Sequence, residues 1–484
     1  MSKMISYIRL GWSNLSGKYN KIIVMKTKHF YQMMMSVLMA SMLAMTSCSK
    51  NTDLLNTVPV TSAQVVTIDL YKLFTEMGCS EVDGILMLSS DLETILNKTG
   101  QDVSDEFKLL LSSNAIDMHQ VVAFAENGKP VVTFRVNDAK VLVDALSAEK
   151  IDSAQGFDFY NIGGVMLVLK ENQCWMYEGS PEMIARIYKE AEAKSIASMS
   201  YVYEALSDDN VLNAYFKAAS PRDYAIDGNA EVCTLLNADF EENGKQLSDD
   251  IAYCDVNGDN IAVDNVLEDI NIDVEHFVSP NDNYSVAIGI RNDADWDLLT
   301  NMSQLLPFKA RTAMSVAIPY FKRIDGTVLA SVKLSKNIGD SEFVAIIEMD
   351  ENNCRKSLQD LYDILSTIGT RPIEESTGNY LIPIPGMDKP LQMGVYESKY
   401  LFLSNRRVEQ NGSKTFKDII SGNKVGAYIY IDKETADVLH LNIPWGFEIS
   451  MSADEAIKLE GRLIGVDTPI MAEVVRVLAL LASR

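Results

Sequence analysis

A nucleophilic hydrolase needs an activated serine or cysteine with a base in reach, and no Gly-x-Ser-x-Gly turn is present to raise a serine over a sheet. Of the four histidines one is His29; His119, His276 and His440 are far apart and fall at predicted strand starts and loop ends. There is no His-Glu-x-x-His helix and no Cys-x-x-Cys pair, so a zinc centre is not predicted. Asp255-Val256-Asn257-Gly258-Asp259-Asn260 sets oxygen side chains at alternating positions, as a calcium loop does. Its glycine is fourth rather than sixth and no glutamate stands twelfth, so a polar hairpin turn is the better reading. Gly163-Gly164 reads as a turn between strands, not a phosphate loop. Trp175, Trp296 and Trp445 are scattered and read as core residues. Paired carboxylates could still be assembled from the 67 acidic residues, since only folding sets their separation. No catalytic residue, metal ligand or cofactor is assigned.

One cysteine carries a more specific signal. From Met25 the chain runs through Lys26, Lys28 and His29 into an apolar, Met-rich stretch, Phe30 to Met45, and then Thr46-Ser47-Cys48. This is a charged n-region, an apolar h-region too short for a comfortable membrane span, and a small residue before cysteine. It resembles a bacterial lipoprotein signal with Met45-Thr46-Ser47-Cys48 as lipobox, which implies cleavage before Cys48 and a diacylglycerol on its thiol. Two or three acyl chains anchor a protein stably where one does not. Residues 1–24 read as a start site placed too far upstream, 25–47 as the signal peptide and 48–57 as a linker. Ser49 resembles the residue found after the cysteine in lipoproteins sorted to the outer membrane. With one acid in Ser49-Lys50-Asn51-Thr52-Asp53, the periplasmic face is favoured over the cell surface.

Charge narrows the partners. The 43 Lys and Arg against 67 Asp and Glu give −24, and residues 1–47 hold six of the bases and no acid, leaving −30 on the exported part. Such a chain does not neutralise phosphates, so nucleic acid is excluded as a partner. Five cysteines remain beyond Cys48, an odd number. A turn centred on Asn243-Gly244 would set Cys233 opposite Cys254, close enough for a disulfide, although buried free thiols are the commoner fate of such a pair. Asp152-Ser153-Ala154 matches the short O-glycosylation acceptor pattern of Bacteroidetes-type exported proteins, in a predicted loop, and makes Ser153 a candidate.

The elements that would position these residues are repeated. Pro59–Asp69 matches Pro280–Ile290, Pro130–Asp138 matches Glu342–Asp350, Glu171–Gly179 matches Glu397–Asn405, and Ser200–Phe216 matches Ser413–Ile429, in the same order and at offsets of 212 to 226. Val141, Leu142 and Leu146 in one copy, and Leu358, Leu361, Ile364 and Leu365 in the other, have helical spacing. Short strands mixed with helices, without regular βαβ alternation, predict an α+β fold: two tandem similar lobes, 58–275 and 276–484, each mainly antiparallel sheet with packed helices. The alternation of Ile270, Ile272 and Val274 with Glu268, Asp269, Asp273, Glu275 and His276 predicts an exposed strand. Residues Thr468 to Ser483 predict a closing helix buried against the second lobe.

The pattern resembles an uncharacterised family of Bacteroidetes lipoproteins, catalogued as domain of unknown function four-eight-three-six, through the lipobox and the opening strand Pro59, Ala63, Val65, Val66, Ile68, Asp69. The resemblance implies a two-lobed mature part and carries no activity. The expectation is a lipid-anchored envelope protein, non-catalytic, a binding or scaffold module with an unidentified protein or glycan partner. The alternative is a periplasmic or surface hydrolase acting on glycans or peptides through paired carboxylates. The anchor has a direct check: intact-mass analysis of native protein should give an N-terminus at an acylated Cys48, and Cys48→Ala should leave the membrane fraction.

Overall fold

A computed structural model of the chain describes residues 52–82, 85–99, 108–109, 113–217, 233–254, 258–259, 266–294, 319–336, 338–367, 370–375, 378–383, 389–441 and 443–482. The signal at 25–47, Cys48, Trp296, and Asp255–Asn257 and Asn260 of the calcium-like loop lie outside the described residues. Among the described residues no helix is long and apolar enough to cross a membrane. The fold is α+β with extensive antiparallel sheet, and the chain divides into two compact units: residues up to Leu212 together with those from Val474, and Asn213–Glu473.

The first unit opens with a 3-10 helix, Thr52–Thr57, whose Leu54 and Leu55 are buried, and continues through strand β1 (Gln64–Ile68) and helix α1 (Leu70–Glu76). After the hairpin β2 (Ser80–Val82) and β3 (Ile85–Met87) and helix α2 (Ser90–Thr99) come the long strands β4 (Ile116–Glu126) and β5 (Lys129–Val136). Helix α3 (Ala139–Ala145) leads into four strands: β6 (Glu149–Ala154), β7 (Phe157–Ile162), β8 (Val165–Lys170) and β9 (Gln173–Tyr177). Helices α4 (Pro181–Ala193) and α5 (Ser200–Leu206) follow, then β10 (Leu212–Lys217), of which only Leu212 belongs to this unit and the rest to the second. Antiparallel pairing gives the spatial order β1-β4-β5-β9-β8-β7-β6. Strand β8 is apolar and buried from Val165 to Leu169, as a strand covered on both faces must be. Gly163 and Gly164, both at positive φ, form the tight β7–β8 turn that the sequence predicts.

In the second unit β11 (Cys233–Glu241) and β12 (Gln246–Cys254) form a hairpin. A 3-10 helix, Ile272–Phe277, precedes β13 (Tyr284–Ile290), β14 (Gly326–Lys333) and β15 (Glu342–Glu348). Helix α6 (Glu351–Thr367) leads to β16 (Ile373–Glu374), β17 (Tyr380–Ile382), β18 (Leu391–Tyr396) and β19 (Tyr400–Ser404). Then come α7 (Lys414–Ile420), β20 (Val425–Ile431), α8 (Lys433–Val438), β21 (Gly446–Ala453), β22 (Ala456–Ile464) and α9 (Ile470–Ala482). The antiparallel order is β11-β12-β22-β21-β20-β13-β14-β15-β19-β18-β17-β16. A core of Val274, Phe277, Leu329, Val344, Ile346, Tyr400, Phe416 and Ile420 packs inside this unit.

Two expectations are corrected here. The segment read as an exposed strand is the 3-10 helix Ile272–Phe277, with Ile270, Val274 and Phe277 buried. A period of three brings Val274 and Phe277 to one side, and the period-two alternation of Ile270, Ile272 and Val274 is incidental. The closing helix α9 divides: from Val474 it belongs to the first unit rather than packing wholly on the second, with Met471, Val475 and Ala479 buried at four-residue spacing.

A buried ion pair organises the second unit. Arg406 and Asp282, 4% and 1% exposed, meet in a bidentate contact with Nη1 and Nη2 at 2.5 and 2.6 Å from the two carboxylate oxygens. The Asp282 carboxylate also accepts from the Ser279 N–H and the Ser331 hydroxyl, while Arg406 Nη2 donates to the Phe277 carbonyl. Removing one partner leaves an uncompensated buried charge, which costs about 3–5 kcal/mol. Arg406→Met should therefore lower the urea unfolding free energy by that order. The exposed Lys336–Glu434 pair serves as control, with Lys336→Ala expected to leave the midpoint unchanged.

Candidate functional site

Strands β12, β22 and β21 lie side by side, and their even-numbered residues share one face. The register sets them in rows: Gln246, Arg462 and Glu448; then Ser248, Glu460 and Ser450; then Asp250, Lys458 and Ser452. Helix α7 borders this face and closes a polar groove of about 400 Å³. Its N-terminus is capped by the Ser413 hydroxyl accepting from the Phe416 N–H at 3.3 Å, and buried Phe416 and Ile420 fix its inner side. Thr415, Asp418 and Ile419 are left to line the groove. After the helix the Asn423 side chain donates to the Ile419 carbonyl at 2.9 Å. Gly426 lets β20 approach closely, since a Cβ there would stand 2.7 Å from Ile420 Cγ2.

The groove has a fixed part and an open part. Glu448 accepts from Tyr428 Oη at 3.1 Å and from Arg462 Nε at 2.8 Å, so its carboxylate is held between a phenol and a guanidinium. Burial, with the Glu448 charge beside it, pushes the Tyr428 hydroxyl up, and the hydrogen bond to Glu448 raises Arg462. By contrast Asp418, Glu460, Lys458, Thr415, Ser450 and Ser452 have no side-chain hydrogen bond or ion pair among the described residues. They face the groove with their hydrogen-bonding capacity unspent. No local motif marks these residues in the sequence. The signal available was alternation in Phe447–Ser452 and Ala456–Leu463, which implies one polar face but not what lies beside it.

The residues singled out in the sequence lie elsewhere. Ser153 is on the exposed edge strand β6, not in a loop, and its hydroxyl donates to Asp158 at 2.5 Å. The sequence predicts no strand here because an edge wetted on both faces needs no apolar alternation. Lys150 also binds Asp158, and these two hydrogen bonds hold the Asp158 carboxyl below its usual range. Cys233 does stand opposite Cys254, although the intervening loop is four residues, Glu242–Lys245, with the same centre as a two-residue turn. The candidate bridge is not formed: both are buried free thiols, the commoner fate, and each sulfur is turned to the carbonyl of the other residue, at 3.3 and 3.9 Å, rather than to its sulfur. His119 is inside β4 and not before it; its Nδ1 is 3.2 Å from the buried Asp69 carboxylate and its ring centroid is 4.8 Å from that of Tyr71, the planes tilted by 40°. His276 lies against Phe277, and His440 sits in the turn that follows α8, at positive φ. Among the described residues no three His, Cys, Asp or Glu side chains gather as a metal site would require.

No family model matches the chain, and no curated protein matches it. Two solved structures, crystal forms III and I of TP0453, align at 6% and 7% identity over 43% and 42% of this chain and 82% and 80% of theirs. Their TM-scores, 0.28 and 0.25, carry no argument about fold or function.

On the opposite face of the groove strands one carboxyl stands out. Asp249 alternates with Leu247 and Ile251 and lies opposite Ala238 and Leu459; burial, then the neighbouring Asp250 charge, pushes it up to about 6. Its ordinary value is 3.8, so between those values the folded chain holds a proton that the unfolded chain has lost. Folding stability from this group therefore rises as pH falls from 6 towards 4 and is lowest above 6. Asp249→Asn should raise the urea midpoint at pH 7 and flatten its rise between pH 6 and 4, measured by tryptophan fluorescence.

Proposed function

We propose that the protein is a non-catalytic, lipid-anchored binding or scaffold module of the bacterial cell envelope, held at the periplasmic face of the outer membrane through Cys48. It belongs on this reading with the lipoprotein family it resembles, and the groove bordered by α7 is its contact surface. The observation that carries the reading is the set of unpartnered polar side chains converging on that groove from two strands and a helix. A lipid anchor and a balance of −30 suit a body that stands off anionic headgroups and meets its partner beyond them.

We further propose that the chain contains two copies of one α+β lobe. What supports this is the succession of pairings: β1-β4-β5-β9-β8-β7-β6 recurs strand for strand as β13-β14-β15-β19-β18-β17-β16. Helices α3 and α6 occupy the same place in each series, as do α5 and α7. The opening 3-10 helices Thr52–Thr57 and Ile272–Phe277 add a block at an offset of 220, each followed by a buried valine, Val58 or Val278. The compact units cut across these copies because β12 pairs with β22, which ties the outer hairpin of the first copy to that of the second.

The test is made in intact cells, with a photo-crosslinking amino acid in place of Ser452 in the groove and, as control, in place of Lys336. A discrete adduct from position 452 and none from 336 is expected; no adduct, or the same adducts from both, contradicts the groove as contact surface. Purified protein should also turn over no glycosidase, peptidase or esterase substrate. Turnover that disappears with Glu460→Gln in a folded protein would replace this reading with the hydrolase.

A further inference from the structure

We infer that the groove takes a neutral carbohydrate chain. This rests on the reading of the groove as the contact surface and adds the chemistry of what is bound. A cavity of about 400 Å³ is of small-ligand size, and apart from Ile419 and Gly461 every residue that lines it has a polar side chain, where ligand pockets are mostly apolar. An apolar ligand would strip water from these groups and return no hydrogen bond to them, at about 1–3 kcal/mol for each group left unsatisfied. The ligand must therefore offer hydrogen bonds along its length.

The unspent groups say of which kind. Asp418 and Glu460 only accept, Lys458 only donates, and the hydroxyls of Thr415, Ser450 and Ser452 do both. A hydroxyl group on the ligand serves all three classes, donating to a carboxylate and accepting from an ammonium, and brings no charge to desolvate. Lys458 and Glu460 stand two residues apart on β22, and Ser450 and Ser452 two apart on β21, so polar groups repeat at about 7 Å along the groove floor. A sugar ring with hydroxyls on its rim bridges that spacing. A polyanion would meet Asp418 and Glu460 on a chain of net charge −24, and a polycation would meet Lys458 and Arg462.

Isothermal titration of the detergent-solubilised full chain decides the matter, with maltohexaose, cellohexaose and chitohexaose as neutral probes, hexagalacturonate as anion and hexalysine as cation. At least one neutral oligosaccharide should bind, the double variant Asp418→Asn/Glu460→Gln should weaken it at least tenfold, and Lys336→Ala should not change it. Binding of hexagalacturonate or hexalysine alone overturns the inference while leaving the groove as contact surface. A neutral oligosaccharide that binds the double variant undiminished overturns it by placing the site elsewhere. No binding by any probe overturns it as well, and the crosslink from position 452 then shows separately whether the groove reading survives.

Discussion

The second unit depends on one buried charge pair. Asp282 lies just before β13, and Arg406 just after β19, in the connection that leads into α7. Neither charge can be hydrated where it lies, so each must find the other together with further hydrogen bonds, although Arg406 Nε stays buried without a partner. Ser279, Ser331 and the Phe277 carbonyl supply those bonds, and Ser404 closes the turn by accepting from the Arg406 N–H and donating to its carbonyl. The consequence is geometric. The pair fixes where β13 begins, and β13 sets β20, which sets β21 and then β22; from the other side it fixes the approach of α7. Groove floor and groove wall are thus referred to one point. Such pairs give registry more than they give stability, since a well-packed apolar substitute is often no less stable.

From that point the groove follows from alternation. Once β12, β22 and β21 are in register, residues of even number form a polar face, and Leu247, Leu459, Ile449 and Met451 form the other. Asp249 is the exception on the apolar side, and its raised carboxyl is the cost of that placement. On the polar side Glu448 is locked by Tyr428 and Arg462, which leaves a rigid frame around side chains that have no partner of their own.

How much of this was legible depended on the range of the contact. Local features were readable: the strand alternation, the helical spacing near Leu142 and Leu358, and the hairpin centre that places Cys233 opposite Cys254. The absence of the bridge was not readable, because it turns on where two sulfurs point once the register is set. The 3-10 helix Ile272–Phe277 was misread because six residues are too few to separate a period of two from a period of three. The groove was invisible for a stronger reason. Gln246 and Arg462 are neighbours only through a strand pairing that spans more than two hundred residues, and no pattern within either hairpin announces it. The Asp69–His119 contact, made across β1 and β4, is hidden in the same way.

The central claim is that the groove between α7 and the β12-β22-β21 face is where the protein meets its partner. Hydrogen-exchange mass spectrometry of the full chain, with and without the soluble carbohydrate fraction of the envelope, addresses it directly. The account predicts added protection in Lys414–Ile420 and Ala456–Ile464, with the strands of the first unit unchanged. Protection confined to the first unit, or none at all, would contradict it.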